Sequence, residues 1–398
     1  MKILEKGIYL VILGLPLYLI RLKIFDIPTT VLELMIYGLF IAWLIKGLRR
    51  FIIHNSSFIM PIVLILIGVS IATVYSWDFR ASAGIWKAWF IDPLLFFIVF
   101  IGAIKKPEQV ARVFYCLIVS GFVVSIISLI YLIQGDLDIQ GRLQGFYNSP
   151  NYLAMYLAPI LIITLGLFLK VGTPCPLGLQ RVFLISNLCL LIIILFFTKS
   201  LGAWLGVIAA LIFGLSIYLW ERQKKWLIWT ILFCGLIIIL VFSLLKINSI
   251  QGKLSFDSRL IIWQRAWEAF KNSPFRGIGP GTFGDYFPAY PIWGVPQPHN
   301  LYFAFLLQTG LIGFIGFIWL LICFFRQGFK LFKTHYSLLI TILMSVMVYV
   351  LAHGLVDTTY WKNDLSIIFW LIIGLMAVLK ISNNKVQMSN QDQMTKFI

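Results

Sequence analysis

Nine polar residues stand at or near the ends of long apolar runs: Arg142, Asn151, Lys199, Arg259, Arg265, His299, Asn300, His353 and Asp357. Their chemistry is uneven. Four are cations and one is a carboxylate, a balance that suits an anionic, phosphate-bearing ligand. Arginine binds phosphate through a planar, bidentate fork and stays charged when desolvated. A histidine side chain suits proton transfer near neutral pH. His299 also opens an apolar run, where the N–H groups of a helix end favour an anion. A lone histidine at a helix start is most often a polar cap, so a catalytic role requires the other eight to gather around it. Asp357 and His353 are placed to orient it or to touch a sugar. Arg142 and Arg259 are the first candidates for an anion, and Lys199, Arg265, Asn151 and Asn300 complete a substrate-binding set.

Helices across a bilayer must do the positioning. The 398 residues are 61% hydrophobic and only 12% charged, with mean hydropathy +0.95. Soluble domains run about 45–50% apolar and about 25% charged. Stretches of about 20 apolar residues cross a bilayer, and backbone groups left unpaired in lipid force them into helices. These runs are apolar all round, unlike the alternating strands of a membrane barrel. The expected fold is all-α and polytopic, with about twelve spans. They lie near 7–20, 30–47, 57–75, 89–104, 110–133, 151–169, 181–198, 200–220, 226–245, 300–325, 337–353 and 363–380. Spans seven and eight meet in a very tight turn at Lys199. Arg21, Lys23 and Asp26 follow the first span without a small-x-small site, so it is not expected to be a cleaved signal.

With alternating spans and a cytoplasmic N-terminus, the larger share of the 32 Lys and Arg falls inside, including Lys2, Lys6, Lys105, Lys106, Arg326 and Lys330. This positive-inside bias puts both termini in the cytoplasm. It also accounts for the net charge of +17 through lipid headgroups, with no nucleic acid as partner. The five cysteines show no paired spacing for a disulfide or a zinc site, and neither a metal site nor a cofactor is expected.

The main break in the membrane pattern is the outer loop 246–299. Asp257 and Ser258 are good N-cap residues, and Leu260, Ile261, Trp263, Trp267 and Phe270 follow at helical spacing among Arg259, Gln264, Arg265, Glu268 and Lys271. This predicts an amphipathic helix at the membrane surface. The GIGPGTF run at 277–283 lacks the strand, helix and Lys-Ser/Thr of a phosphate loop, and reads as a structural turn. Glu33 and Asp92 are the few carboxylates expected within spans.

The ordered motifs resemble the O-antigen ligase and O-antigen polymerase superfamily. They are RLQGFYNSPNYLA at 142–154, TKSLGAWLG at 198–206, SRLIIWQRAWEAFKNSPFRGIGPGTF at 258–283, PHNLYFAFLLQTGLIGFIGF at 298–317 and HGLVD at 353–357. The resemblance implies a metal-independent glycosyltransferase of the bacterial cytoplasmic membrane. Such enzymes move a glycan from an undecaprenyl-diphosphate carrier to an acceptor outside the cytoplasm: lipid A-core, another repeat unit or a protein hydroxyl. It also implies that Arg142 and Arg259 hold the diphosphate and that His299 activates the acceptor or assists at the phosphate. The family often has Ser-Arg-Gly at the turn where this chain has Ser200, Leu201 and Gly202, and Lys199 is the nearest replacement cation. The chain then divides into N-terminal spans at 1–141, a ligase-like region at 142–357 and a last span with a polar tail at 358–398. The alternative is a lipid-linked glycan flippase, or a non-catalytic lipid-glycan binder. Transporters tend to carry internal repeats and midplane charges, and no repeat is evident here.

Overall fold

The computed structural model describes residues 2–25, 27–46, 57–170, 178–221, 250–286, 295–332 and 336–395, with single positions at 223, 227, 235 and 334. The expected ninth span, 226–245, lies outside them apart from two positions, as do 246–249 and 287–294 of the outer loop.

The chain is a multi-pass, almost wholly helical membrane protein. Its helices are α1 (Lys2–Leu13), α2 (Val31–Ile45), α3 (Ile59–Val74), α4 (Phe79–Trp86), α5 (Asp92–Ala103), α6 (Pro107–Ile133), α7 (Pro150–Lys170), α8 (Leu179–Phe197) and α9 (Leu201–Glu221). After them come α10 (Ile250–Asn272), α11 (Phe283–Tyr286), α12 (Leu301–Leu331), α13 (Ser337–His353) and α14 (Asn363–Thr395). Among the described residues, seven helical segments are long and apolar enough to cross a membrane, and α2, α3 and α13 are shorter apolar helices.

Several expected boundaries move. The first span was expected at 7–20, but α1 ends at Leu13 and a 3-10 turn covers Leu15–Leu19, because Gly14 and Pro16 interrupt the α pattern. A hairpin of β1 (Arg21–Ile24) and β2 (Ile27–Thr30) follows, where Ile24, Ile27, Thr29 and Thr30 supply β-branched side chains. The fourth span starts ten residues before the expected 89: Asp78 caps Ala81 N at 2.9 Å, and a π turn at Lys87–Ile91 joins α4 to α5. That turn aims Lys87 at Glu33, and Asp92 lies 4.0 Å from the same ammonium. Glu33 also accepts from Asn363 Nδ2 at 3.1 Å. The two carboxylates flagged by the sequence therefore belong to one buried, cation-centred network that ties α2 and α5 to α14.

Small residues let helices meet backbone to backbone. A Cβ at Gly316 of α12 would stand 2.7 Å from Ile65 N of α3. Midway along α12 the helix breaks at Gly310, with φ 65° and ψ 179°, a conformation open essentially to glycine. The break exposes Leu307 O and Leu311 N, and unpaired polar backbone is costly in an apolar setting. The 274–281 turn fills it: Ile278 N donates to Leu307 O at 2.8 Å and Leu311 N to Pro274 O at 2.9 Å. A Cβ at Gly310 would also meet Phe275 C at 2.8 Å. Gly310→Ala is expected to cost about 1–3 kcal/mol in backbone strain alone, lowering the thermal unfolding midpoint in detergent. An unchanged midpoint would mean that this seam does not hold the outer loop.

Candidate functional site

The described loops 134–149, 198–200, 295–300 and 354–362 meet at one end of the bundle, together with α10. Contacts between the other helix ends fit the same alternation: Arg112 pairs with Glu5 at 3.1 Å, and Ser382 Oγ donates to Lys105 O at 2.9 Å.

Asp357 is the centre. It follows α13 directly, and its amide donates to His353 O at 3.1 Å, so the turn is pinned to the helix end. One carboxylate oxygen accepts from Thr358 N at 2.9 Å and faces His299 Nδ1 at 3.1 Å. The other accepts from Asn151 Nδ2 at 2.7 Å. Asn151 sits in the first turn of α7, and its Oδ1 accepts from an Arg142 Nη at 2.6 Å. Arg142 Nε donates to Thr198 O at 3.0 Å. A continuous polar chain thus runs Thr198–Arg142–Asn151–Asp357–His299, across four segments far apart in sequence.

Electrostatics fix the state of this chain. Burial alone would raise the Asp357 pKa. His299, by charge and hydrogen bond, with help from His353 and Thr358 N, holds it well below the ordinary carboxylate range instead. An ionised carboxylate can only accept. His299 Nδ1 therefore carries the proton, and the lone pair of the neutral ring lies on Nε2. The His299 side chain is 36% exposed against 4% for Asp357, so the imidazole is the accessible end of the pair. Burial draws the Arg142 pKa down, Asp138 and Asp357 pull it back up, and Arg259 adds a like-charge push. The two arginines therefore sense one another across the same space.

The backbone builds this placement. His299 has φ 47°, a left-handed conformation rare outside glycine, in which histidine is among the enriched residues. Pro298 O accepts from Trp263 Nε1 at 3.1 Å, which ties the segment to α10. Asn300 caps α12, its Oδ1 accepting from Tyr302 N and Phe303 N at 3.0 Å each, while Nδ2 donates to Leu355 O at 2.9 Å. Leu301 N donates to Gly354 O at 2.7 Å. Expected to bind substrate, Asn300 has its side chain engaged in locking the His299 segment to the Asp357 segment.

The remaining predicted residues fall in different places. Arg259 Nε donates to Val356 O at 3.2 Å, beside the dyad. Lys199 takes φ 49° in the tight turn between α8 and α9, and its ammonium lies 3.5 Å from where a Cβ on Gly141 would stand. It therefore reaches the Arg142 loop. His353 is buried behind the site, with Nδ1 2.8 Å from Tyr349 Oη, and packs on Gly202. Arg265 is not brought to the cluster: it pairs with Glu268 at 2.9 Å on the exposed side of α10.

The outer helix also differs from expectation. It starts at Ile250, so Asp257 and Ser258 lie inside it and not at its N-cap. Its protein-facing side is Ile262, Ala266 and Ala269, packed on Ile278, Phe283 and Leu307. Leu260, Ile261 and Trp267 point outward. The GIGPGTF run is a structural turn, as expected. Gly281 N donates to Gln308 Oε1 at 2.8 Å and Ser82 Oγ to Pro280 O at 2.9 Å, so its polar groups are used within the protein.

Residues 186–318 match the O-antigen ligase family model. Over that segment, a third of the chain, the sequence is similar to the O-antigen ligase superfamily. No curated protein sequence matches the chain. The matched segment contains Lys199, Arg259, Arg265, His299 and Asn300, while Asp357, the partner of His299, and Asn151 and Arg142 further along the polar chain come from outside it. The match points to ligase-type or polymerase-type glycosyl transfer in cell-envelope polysaccharide biosynthesis. Sequence reasoning did not single out Thr198, Val356 and Thr358. Two of these contribute backbone carbonyls and one a backbone N–H, groups that do not depend on side-chain type.

Proposed function

We propose that this O-antigen ligase-like protein transfers a glycan from an undecaprenyl-diphosphate carrier to an acceptor hydroxyl at the non-cytoplasmic face of the bacterial inner membrane, with both termini inside. The acceptor is lipid A-core, a growing polysaccharide or a protein hydroxyl. The observation that carries this reading is the Arg142–Asn151–Asp357–His299 chain, with Arg259 beside it.

Each part has a task. His299 Nε2 takes the acceptor hydroxyl proton as the oxygen attacks the anomeric carbon. The bond from that carbon to the phosphate oxygen breaks, and the electron pair leaves with the lipid diphosphate. Arg142 and Arg259 face the charge that grows on the leaving group, and preorganised cations lower the barrier most where charge develops. Asp357 holds the imidazole in the tautomer that accepts on Nε2. Lys199, a point charge without a planar fork, stands near the position where the family often has arginine and this chain has Leu201.

Arg259→Ala is expected to raise the KM for the lipid-linked donor about tenfold to hundredfold, since hydrogen bonds to charged groups contribute about 1.5–3 kcal/mol. Transfer by purified protein in liposomes, followed with a labelled lipid-linked glycan, checks it. An unchanged donor KM would remove Arg259 from the diphosphate. Wild-type protein that binds this donor yet transfers nothing to any of the three acceptor classes would point instead to a flippase or a non-catalytic binder.

A further inference from the structure

Lys362, between α13 and α14, is held in an aromatic enclosure one residue away from the site. Its Nζ lies 3.4 Å from the centre of the Tyr152 ring, 5.2 Å from that of Tyr147 and 5.4 Å from that of Tyr18. The ammonium is shielded from solvent and donates no hydrogen bond to any described residue. Tyr18 Oη, on a residue only 3% exposed, also lacks a partner among the described residues. Two polar groups from distant segments, the turn after α1 and the loop before α14, are thus unsatisfied in one enclosure. Buried polar groups in folded proteins are nearly always paired, and a ring face substitutes only in part for a hydrogen-bond acceptor.

The surroundings specify what is missing. Asp364 is the nearby carboxylate. It makes no ion pair with Lys362 within 4.0 Å, and its oxygens accept instead from Tyr147 Oη at 3.3 Å and Leu365 N at 2.9 Å. Desolvation brings the lysine pKa down to about 8 against the opposing pull of the Asp364 charge, and Arg21 adds a like-charge push from the hairpin after α1. The enclosure adjoins the dyad: Tyr152 directly follows Asn151, the residue that bridges Arg142 and Asp357, and lies within reach of the charges of both Asp357 and Asp364. Lysine carries its charge on a flexible four-carbon stem, so the ammonium can leave the Tyr152 face without backbone movement.

We propose that Lys362 is a further donor-binding residue, whose ammonium moves from the Tyr152 ring onto an oxyanion of the lipid-linked glycan. This rests on the glycan-donor reading above. Two sources share the chemistry: a diphosphate oxygen, and the carboxylate of an acidic sugar next to it. Arg142 and Arg259 serve the leaving group from the dyad side, and Lys362 approaches from the α14 side.

Binding to full-length protein in nanodiscs tests this with three probes: undecaprenyl diphosphate alone, the same carrier with a neutral first sugar, and with an acidic first sugar. Lys362→Met is expected to weaken binding tenfold or more at pH 7, with Lys362→Arg restoring it. Loss on all three probes assigns the diphosphate; loss on the acidic-sugar probe alone assigns the carboxylate. The lysine is charged below its pKa and neutral above it. Wild-type affinity is therefore expected to fall as pH rises from about 7 to about 9 (about one pKa unit either side of the transition), while that of Lys362→Arg holds. Lys362→Met that binds every probe like wild type, while Arg142→Ala does not, overturns the role of Lys362 alone. Wild-type protein that binds none of the probes overturns the donor reading and this one with it.

Discussion

Replacing His299 with alanine is expected to lower the rate of glycan transfer about 100-fold to 10,000-fold, the usual contribution of a positioned general base. The loss should appear in kcat, with donor KM little changed, because Arg142 and Arg259 are untouched. The expectation follows from the proton inventory of the dyad. Asp357 is ionised and accepts, so Nδ1 donates, and in the neutral ring the lone pair is on Nε2. A diphosphate oxygen is itself an acceptor, and it would meet that lone pair unfavourably in the neutral ring. The geometry thus favours proton abstraction over phosphate contact for the uncharged imidazole. Reconstituted proteoliposomes with labelled donor separate the two. A raised donor KM at unchanged kcat would move His299 to the phosphate, and full transfer by His299→Ala would remove it from the mechanism.

The polytopic helical class was legible because composition and run length report directly on the bilayer. The tight turn at Lys199 and the helix at 337–353 were legible for the same reason: an apolar run ends where polar residues begin. Boundaries failed where local chemistry competes with hydropathy. Gly14 and Pro16 cut the first helix short, and Asp78 starts the fourth segment early by capping it. Asp257 and Ser258 carry N-cap side chains, yet α10 runs through them. The break at Gly310 was invisible because a glycine in an apolar run is commonplace in membrane helices. Only the 274–281 turn docking against Leu307 and Leu311 gives it a purpose.

The candidate residues were legible as types, since charge is scarce in this chain and each cation at a run end stands out. Their convergence was not. Asp357 and Asn151 are 206 residues apart in sequence and share one hydrogen bond, and no spacing rule reaches that far. Arg265 shows the opposite error. It stands six residues after Arg259 with the same chemistry, but the turn of the helix carries it to the exposed side and Glu268. Lys362 was missed because one lysine before a final span looks like an ordinary flanking charge, and only its ring contacts distinguish it.

Asp357→Asn is expected to lower transfer on the order of 100-fold to 10,000-fold while acting entirely through His299. The substitution keeps the shape and reverses one hydrogen-bonding edge. At present one oxygen receives His299 Nδ1 and Thr358 N, and the other receives Asn151 Nδ2. An amide NH2 in the second position would face Asn151 Nδ2, donor against donor. Turning Asn151 over relieves that clash, but then presents its NH2 to Arg142, which now donates to Oδ1. The amide in the first position would meet Thr358 N and His299 Nδ1 instead. No arrangement satisfies all members, and the one that keeps Asn151 and Arg142 in place sets the amide against Thr358 N and His299 Nδ1, so the loss falls on the imidazole.

Stability moves in the same direction. The Asp357 pKa is depressed in the folded protein, so its stabilisation is present above the ordinary carboxylate range and is lost as pH falls toward the folded value. At neutral pH the asparagine variant forfeits it, and its unfolding midpoint should drop there more than at acid pH. The decisive measurement is a double-variant cycle. A residue that acts only by positioning another adds nothing once that other is gone. Asp357→Asn combined with His299→Ala should therefore be no slower than His299→Ala alone. Multiplied defects would instead mean that Asp357 contributes to transfer independently of His299.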